Sequence, residues 1–199
     1  MTARIDFYFD FSSPYGYFAS TRIDDLARDL GGAAHWHPIL LGPMFKATGA
    51  APLLETPLKG DYSRHDMLRT AGLEQIPFRI PEPFPIATVA AARIMLYAQS
   101  LDAALGIAFA QQALKAYYVD NIHIGEAENV LQIAKAVGLN IDDTREAIAS
   151  DAIKAQLRSE NEAAMARGVF GSPFIFVGDE PFWGFDRLDT IRRFVQRGS

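Results

Sequence analysis

The sequence predicts an α/β fold in which a βαβ unit and a ββα unit share one small sheet and a large α-helical subdomain is inserted between them. A strand-like run at residues 4–10 leads directly into a turn and a helix start at Ser13-Pro14. Much later, Ser172-Pro173 precedes a second apolar strand at residues 174–177. A short strand, a proline at a helix start and a distant X-Pro before a hairpin together indicate a thioredoxin-like fold.

The composition is that of a globular protein with a single domain, residues 1–199. Of the 199 residues, 49% are hydrophobic and 22% are charged, so the chain can bury a full core. The 19 basic and 24 acidic residues give a net charge of −5, which argues against a nucleic-acid partner. The sequence has no secretory signal and no uncharged apolar run of about 20 residues, so we expect a cytoplasmic protein without a membrane segment.

The chain contains no cysteine. In a redox-active protein of the predicted fold, the turn after the first strand would read Cys-Pro-x-Cys. Here Ser13 and Gly16 stand at the two cysteine positions. Any thiol chemistry at this turn must therefore use a sulfur that comes from another molecule.

Local patterns predict the first half of the sheet. Residues 5–9 alternate apolar side chains with Asp or Tyr, which is the period of a β-strand. Pro14 suits the first turn of a helix, and apolar positions continue at helical spacing to residue 30. Residues 34–40 read as a second strand, which completes a right-handed βαβ unit.

The middle of the chain predicts a loop and then a helical block. Residues 41–62 are rich in Gly, Pro and Thr, which predicts a long loop, and a short helix is expected over residues 62–71. Prolines between residues 76 and 85 exclude regular structure there. Further helices are predicted over residues 87–100, 101–119, 126–137, 142–149 and 153–167.

The last part of the chain predicts a return to the sheet. Strands at residues 174–177 and 182–184 precede a last helix that begins at Asp186. We therefore place the thioredoxin-like part at about residues 1–41 and 168–199, and the helical insertion at about residues 62–167.

Ser13 and Ser172 are the residues most indicative of function. A cis peptide bond before Pro173 would turn the backbone N–H and C=O of Ser172 toward the helix start at Ser13, where an extended peptide could pair with them. The alternative is structural, with Ser13 as an ordinary N-cap and Ser172-Pro173 as a plain turn into a hairpin.

Other side chains could form a substrate pocket or a metal site. His35 and His37 lie on one face of a strand, but two histidines are too few for zinc, and we predict no metal site. Possible partners for a substrate carboxylate are Lys46, Arg64 and Arg69. Aromatic residues that could line a pocket for an aromatic acid are Phe45, Tyr62, Phe84, Phe182 and Trp183.

Five short segments occur in the same order as in a known family: residues 10–17 (DFSSPYGY), 45–49 (FKATG), 59–62 (KGDY), 169–173 (VFGSP) and 183–187 (WGFDR). On these segments the sequence resembles the 2-hydroxychromene-2-carboxylate isomerase family, which is related to kappa-class glutathione transferases and DsbA-like proteins. The resemblance covers essentially the whole chain.

The resemblance implies a glutathione-dependent isomerase of aromatic catabolism. Such an enzyme converts 2-hydroxychromene-2-carboxylate-type compounds to trans-o-hydroxybenzylidenepyruvate-type compounds. Ser13 matches the catalytic serine that holds the glutathione sulfur, and Ser172, before a cis Pro173, matches the residue whose backbone pairs with the cysteinyl unit. Lys59 matches a lysine that pairs with a glutathione carboxylate, while Asp186 and the backbone near Phe185 match contacts to the γ-glutamyl end.

The sequence departs from the family pattern at two positions. Ala50 and Ala87 stand where the family commonly has asparagine, which leaves the substrate open. Two alternatives also stay open: a kappa-like transferase that conjugates glutathione to electrophiles, and a thiol-free module that binds extended peptides. The resemblance further implies a homodimer.

Overall fold

The computed structural model describes residues 4–197. Within that range one sheet has the strand order β2-β1-β3-β4, formed by β1 (Ile5–Phe9), β2 (Ala34–Pro38), β3 (Phe174–Val177) and β4 (Glu180–Trp183). Strand β1 pairs parallel with β2 and antiparallel with β3, and β3 and β4 form the hairpin. This arrangement confirms the predicted βαβ and ββα units and their shared sheet.

Ten α-helices accompany the sheet within residues 4–197, and six of them follow one another between residues 59 and 166. Within the same range, no helix is both long enough and apolar enough to cross a bilayer. The boundaries between a thioredoxin-like part and a helical insertion stay a prediction. The helices are α1 (Pro14–Ser20), α2 (Ile23–Asp29), α3 (Leu41–Thr48), α4 (Lys59–Leu73), α5 (Val89–Leu101), α6 (Ala103–Tyr118), α7 (Ala127–Ala136), α8 (Ile141–Ala149), α9 (Asp151–Ala166) and α10 (Leu188–Arg197).

The single helix predicted from residue 14 to residue 30 is wrong, because α1 and α2 are separate helices. At the break, the Ser20 hydroxyl donates to the Tyr17 carbonyl at 2.6 Å, and the Thr21 hydroxyl donates to the Phe18 carbonyl at 2.8 Å. Such local bonds compete with the backbone bonds that would continue a helix. Both helices still bury their apolar residues in one core, so the sequence periodicity conceals the break.

The predicted loop over residues 41–62 is also wrong. It contains α3 and a 3₁₀ turn, and α4 begins at Lys59. The first free N–H groups of α3 find distant acceptors: Leu40 donates to Asn161 Oδ1 at 2.8 Å, and Leu41 donates to Asp10 Oδ2 at 2.7 Å. A helix that is capped from elsewhere in the fold carries no capping signal in its own sequence.

The last helix begins two residues later than predicted. Asp186 lies in a 3₁₀ turn, Phe185–Arg187, and α10 starts at Leu188. The Asp186 carboxylate pairs with Arg187 at 2.9 Å and makes no cap hydrogen bond at the start of the turn. The predicted second strand also begins earlier, at Glu180.

Both faces of the sheet are covered. Phe7 and Phe9 are fully buried on one face, where their rings contact Trp36 at centroid distances of 5.0 and 5.4 Å. Tyr8 lies on the opposite face, in a smaller cluster with Phe176 and other apolar residues. Every residue of β1 is consequently buried, including an acidic one, Asp6.

Asp6 anchors a cluster of charged groups. Its carboxylate accepts hydrogen bonds from Arg167 Nη1 at 2.7 Å, Arg4 Nε at 2.9 Å and His37 Nε2 at 3.1 Å. Burial alone would raise the pKa of Asp6, but these donors reverse that effect and lower the pKa to about 2. The cluster ties β1 to β2 and to the residue that follows α9.

Asp6→Asn should therefore destabilise the protein by about 2 kcal/mol at pH 7, the free energy equivalent of that pKa shift. The depressed pKa makes the carboxylate stabilising above pH 3.8, and this contribution is lost as the pH falls from 3.8 to about 2. Urea unfolding between pH 7 and pH 2 should show the difference between variant and wild type shrinking. The matched control is Asp25→Asn, an exposed carboxylate paired with Arg28. A loss that is equal for both variants, or independent of pH, would contradict the assignment.

Candidate active site

A cleft of about 650 Å³ opens where the N-termini of α1, α3 and α5 meet. Its walls are mainly apolar and aromatic, as is typical of small-molecule sites. The polar groups lie together at Asp10, Ser12, Ser13, Thr88 and Ser172. A second cavity of about 480 Å³, between α1, α2 and α6, does not include Ser13, so we assign the candidate site to the larger cleft.

Ser13 is the N-cap of α1 and also faces the cleft. Its Oγ accepts a hydrogen bond from the Gly16 N–H at 3.0 Å and donates one to the Ser172 carbonyl at 3.0 Å. The residue is only 5% exposed, and the cleft lies directly beside it. The N-cap role and the proximity to Ser172, which the sequence analysis treated as alternatives, therefore occur together.

Ser172 presents its backbone beside Ser13. The Ser172-Pro173 peptide bond is cis, as hypothesised from the sequence. The Ser172 hydroxyl accepts a hydrogen bond from the Asp10 N–H at 3.0 Å, while its carbonyl accepts the Ser13 hydroxyl. Within residues 4–197 nothing accepts the Ser172 N–H, which leaves this donor for a ligand.

The second cysteine position has no room for a side chain. A Cβ atom on Gly16 would lie 2.7 Å from Ser172 Oγ and 3.1 Å from Ser13 Cβ. The Ser172 hydroxyl thus occupies the space that a side chain at residue 16 would need. Ser13, Gly16 and Ser172 therefore pack closely together, and we call Ser13 and Ser172 the serine pair.

Asp10 lies beside the serine pair, and the sequence analysis did not identify it as a site residue. It is 5% exposed, and its Oδ1 accepts the Ser12 N–H and the Thr88 hydroxyl, both at 2.8 Å. Its Oδ2 accepts the Leu41 N–H at 2.7 Å. Burial raises the pKa of Asp10, and the hydrogen bonds from Ser12, Leu41 and Thr88 oppose the rise.

Tyr15 closes another side of the cleft. Its hydroxyl donates to Asp66 Oδ2 at 2.5 Å, which links α1 to α4. Burial, followed by this contact with Asp66, raises the pKa of Tyr15, so the phenol stays protonated at neutral pH. Arg69 also binds Asp66, and this predicted partner for a substrate carboxylate is therefore already engaged.

An aromatic wall stands next to Ser172. The Trp183 ring lies 4.9 Å from the Phe170 ring, centroid to centroid, and its Nε1 would be only 2.4 Å from a Cβ atom on Gly171. Residue 171 must therefore be glycine for the indole to lie against the backbone. Phe45 and Phe84 also line the cleft, as predicted, and Ala50 and Ala87 both contribute to its surface.

Several residues predicted to bind ligands lie outside the cleft lining. Lys46 is exposed on α3, and Lys59 is exposed at the first residue of α4. Tyr62 is 62% exposed and lies beneath the Arg69 guanidinium, 5.7 Å from the ring centroid. Arg64 is exposed on the same helix.

The predicted contacts near the hairpin of β3 and β4 are also outside the cleft lining. The Phe185 ring packs 5.8 Å from the Phe18 ring, which holds it in the core rather than in the cleft. Asp186 is exposed, and its carboxylate lies over Gly184, whose φ of 116° favours glycine. Phe182 is buried against Phe194 and does not reach the cleft.

The two strand histidines differ in their surroundings. His37 binds Asp6, and its ring stacks on Tyr8 at a centroid distance of 4.5 Å. His35 is exposed. Among residues 4–197, no three His, Asp or Glu side chains are placed to hold a metal ion.

Comparisons with known proteins identify the family of this chain. The DSBA-like thioredoxin domain matches residues 4–196. A 2-hydroxychromene-2-carboxylate isomerase of Sphingobium xenophagum is 34% identical over 197 residues, covering 98% of this chain and 99% of the relative. Glutathione S-transferase kappa 1 of Caenorhabditis elegans is 27% identical, covering 98% and 91%.

Among solved structures, a 2-hydroxychromene-2-carboxylate isomerase superimposes with a TM-score of 0.86 at 28% identity, covering 97% of this chain and 94% of the other. Sequence and structure thus match along the same, nearly complete length. The chain belongs to the DSBA-like thioredoxin domain family and, within it, to the 2-hydroxychromene-2-carboxylate isomerase family.

Proposed function

We propose that this protein is a glutathione-dependent isomerase that acts on 2-hydroxychromene-2-carboxylate or a related aromatic 2-oxo acid. The observation that carries the proposal is the pairing of the Ser13 hydroxyl with the Ser172 carbonyl at 3.0 Å, beside an apolar cleft. Related isomerases, matched over nearly the whole chain, support the reaction class.

The residues at the cleft fit the thiol end of glutathione. The free Ser172 N–H can donate to the backbone of the cysteinyl unit, in the manner of a short added strand. The Ser13 hydroxyl then lies where that unit would place its sulfur. Lys59, Phe185 and Asp186 are the proposed contacts for the charged ends of the tripeptide, which extend beyond the apolar part of the cleft.

Glutathione, when bound, supplies a thiolate that can add reversibly to a carbon–carbon double bond conjugated with a carbonyl group. Ser13 stabilises the anionic sulfur by turning its hydroxyl from the Ser172 carbonyl to the sulfur, and the N–H groups in the first turn of α1 add to this effect. Ser13 acts as a hydrogen-bond donor rather than as a nucleophile. Within residues 4–197 no histidine lines the cleft to activate it as a base.

The apolar walls suit the ring of an aromatic substrate. Phe45 and Phe84 offer ring faces, and Trp183 adds an indole beside Ser172. Lys46 follows Phe45 on α3 and is the proposed partner of a substrate carboxylate, together with Tyr62 at the outer edge.

We also propose a role in aromatic catabolism, a cytoplasmic location and a homodimer; a solution mass near 21.9 kDa would contradict the dimer.

The direct test is an assay with two substrates. Incubation with glutathione and 2-hydroxychromene-2-carboxylate should yield the ring-opened trans isomer while the glutathione concentration stays constant. A kappa-like transferase would instead consume glutathione and release a stable conjugate of chloronitrobenzene. Rearrangement that proceeds equally well without glutathione, or no rearrangement at all, would contradict the proposal.

Ser13→Ala should raise the pKa of the bound glutathione thiol by about one unit, because one hydrogen bond to the anion is lost. Thiolate absorbance near 240 nm, followed against pH with the protein saturated, measures this value. Ser150→Ala is the matched control, because it removes an N-cap bond at the start of α9, away from the cleft. An unchanged thiol pKa in Ser13→Ala would remove Ser13 from the mechanism.

Gly16→Ala should weaken glutathione binding about tenfold or more, because the new methyl group collides with Ser172 Oγ and displaces the free N–H. Isothermal titration calorimetry gives the dissociation constant. Gly72→Ala on α4 is the control, since a Cβ atom there meets nothing within 4 Å. Equal affinities for the two variants would show that the fit at residue 16 does not matter for binding.

A further inference from the structure

Asp10 makes hydrogen bonds to four separate segments that border the cleft. Its carboxylate holds the Ser12 N–H, the Leu41 N–H at the start of α3 and the Thr88 hydroxyl before α5. Its backbone N–H donates to the Ser172 hydroxyl. Each of these partners lines the cleft, and they come from widely separated parts of the sequence.

The same residue also holds the Ser13 turn directly. The Asp10 carbonyl accepts the Ser13 N–H at 2.9 Å, and the Ser12 N–H bonded to the Asp10 carboxylate belongs to the same turn. Ser12 in turn accepts the Ile86 N–H at 3.2 Å, which fixes the proline-rich segment above it. Both members of the serine pair are therefore bonded to Asp10, one through each end of its backbone.

The surroundings of the Asp10 side chain favour a hydrogen-bond acceptor at both of its oxygen positions. Three donors point at its two oxygens, at 2.7 to 2.8 Å, in a site where the residue is 5% exposed. An asparagine of the same shape would place an N–H₂ group against a donor. At least one of the three contacts would be lost, and a buried donor would remain unpaired.

We propose that Asp10 is a positioning residue, whose carboxylate fixes the Ser13 turn so that one bound glutathione meets the Ser13 hydroxyl with its sulfur and the Ser172 backbone with its cysteinyl backbone. This inference rests on the proposed function, since it concerns the same cleft. It assigns to Asp10 no contact with the sulfur itself. The carboxylate acts through the turn, the start of α3 and Thr88.

A positioning role of Asp10 and a purely electrostatic effect of its charge predict opposite changes in the thiol pKa for Asp10→Asn. Removal of a nearby negative charge alone would favour the anionic sulfur and lower the thiol pKa. Loss of positioning would move the Ser13 hydroxyl away from the sulfur and raise the thiol pKa. The sign of the change therefore separates the two roles.

The other titratable groups near Asp10 do not interfere with this measurement. Tyr117 and Tyr118 lie on α6, and burial raises the pKa of each; for Tyr117 a contact with Ser12 opposes the rise. The pKa of Tyr15 is raised as well, again mainly by burial. These three tyrosines consequently do not contribute to an absorbance change between pH 6 and pH 9.

The test is the thiol titration of glutathione bound to the full-length Asp10→Asn variant, at a temperature well below its unfolding midpoint. We expect the thiolate fraction at pH 7 to fall three- to tenfold, by about the same amount as in Ser13→Ala. In the double variant Asp10→Asn, Ser13→Ala the second change should add nothing, because both act on one hydrogen bond. Asp24→Asn is the matched control: this half-buried carboxylate accepts bonds from Trp36 and Gln111, away from the cleft.

A second variant keeps the test decisive if Asp10→Asn does not fold. Thr88→Val keeps the charge of Asp10 and the two backbone donors to its carboxylate, but it removes the hydroxyl donor. It should therefore also lower the thiolate fraction. An unchanged or larger thiolate fraction in whichever variant folds would overturn the role of Asp10 while leaving the proposed function intact. Failure of the wild-type protein to bind glutathione would overturn both.

Discussion

The hydrogen bond from the Ser13 hydroxyl to the Ser172 carbonyl joins positions 159 residues apart and brings the start of α1 to the segment that precedes β3. The bond can form only because β3 pairs antiparallel with β1, which places the start of β3 beside the end of β1. The remaining features of the cleft are arranged around it. Gly16 leaves room for the Ser172 hydroxyl, and Asp10 forms hydrogen bonds with the Ser172 hydroxyl and with the Ser12 N–H of the turn.

Under the proposed function, this arrangement lets a thioredoxin-like fold without cysteine bind the sulfur of another molecule. The position of the first cysteine keeps a small polar side chain, Ser13, that can donate to an anion. The position of the second cysteine is closed, because Ser172 Oγ already fills that space. A disulfide within the chain is excluded by its composition, and within residues 4–197 no group accepts the Ser172 N–H.

Features governed by neighbouring residues could be predicted from the sequence. The alternation in β1, the proline that opens α1 and the hairpin of β3 and β4 depend on local spacing, and the structure has all three. The serine pair was also predicted, because each serine stands beside a proline in a characteristic place.

Features governed by distant contacts could not be predicted. The start of α3 depends on Asn161 and Asp10, neither of which is adjacent to it in the sequence. The role of Asp10 is hidden for the same reason, since an acidic residue after a strand has no signature of its own. The ligand contacts of Lys59 and Asp186 came from the family resemblance, and that of Tyr62 from its aromatic ring. The structure places all three side chains outside the cleft lining, so their contacts stay a prediction.

The most direct measurement is a crystal structure of the protein with bound glutathione. The account predicts the sulfur within about 3.5 Å of Ser13 Oγ and the Ser172 N–H bonded to the backbone of the cysteinyl unit. A tripeptide bound elsewhere, or with its sulfur directed away from an unmoved bond between Ser13 and Ser172, would contradict it.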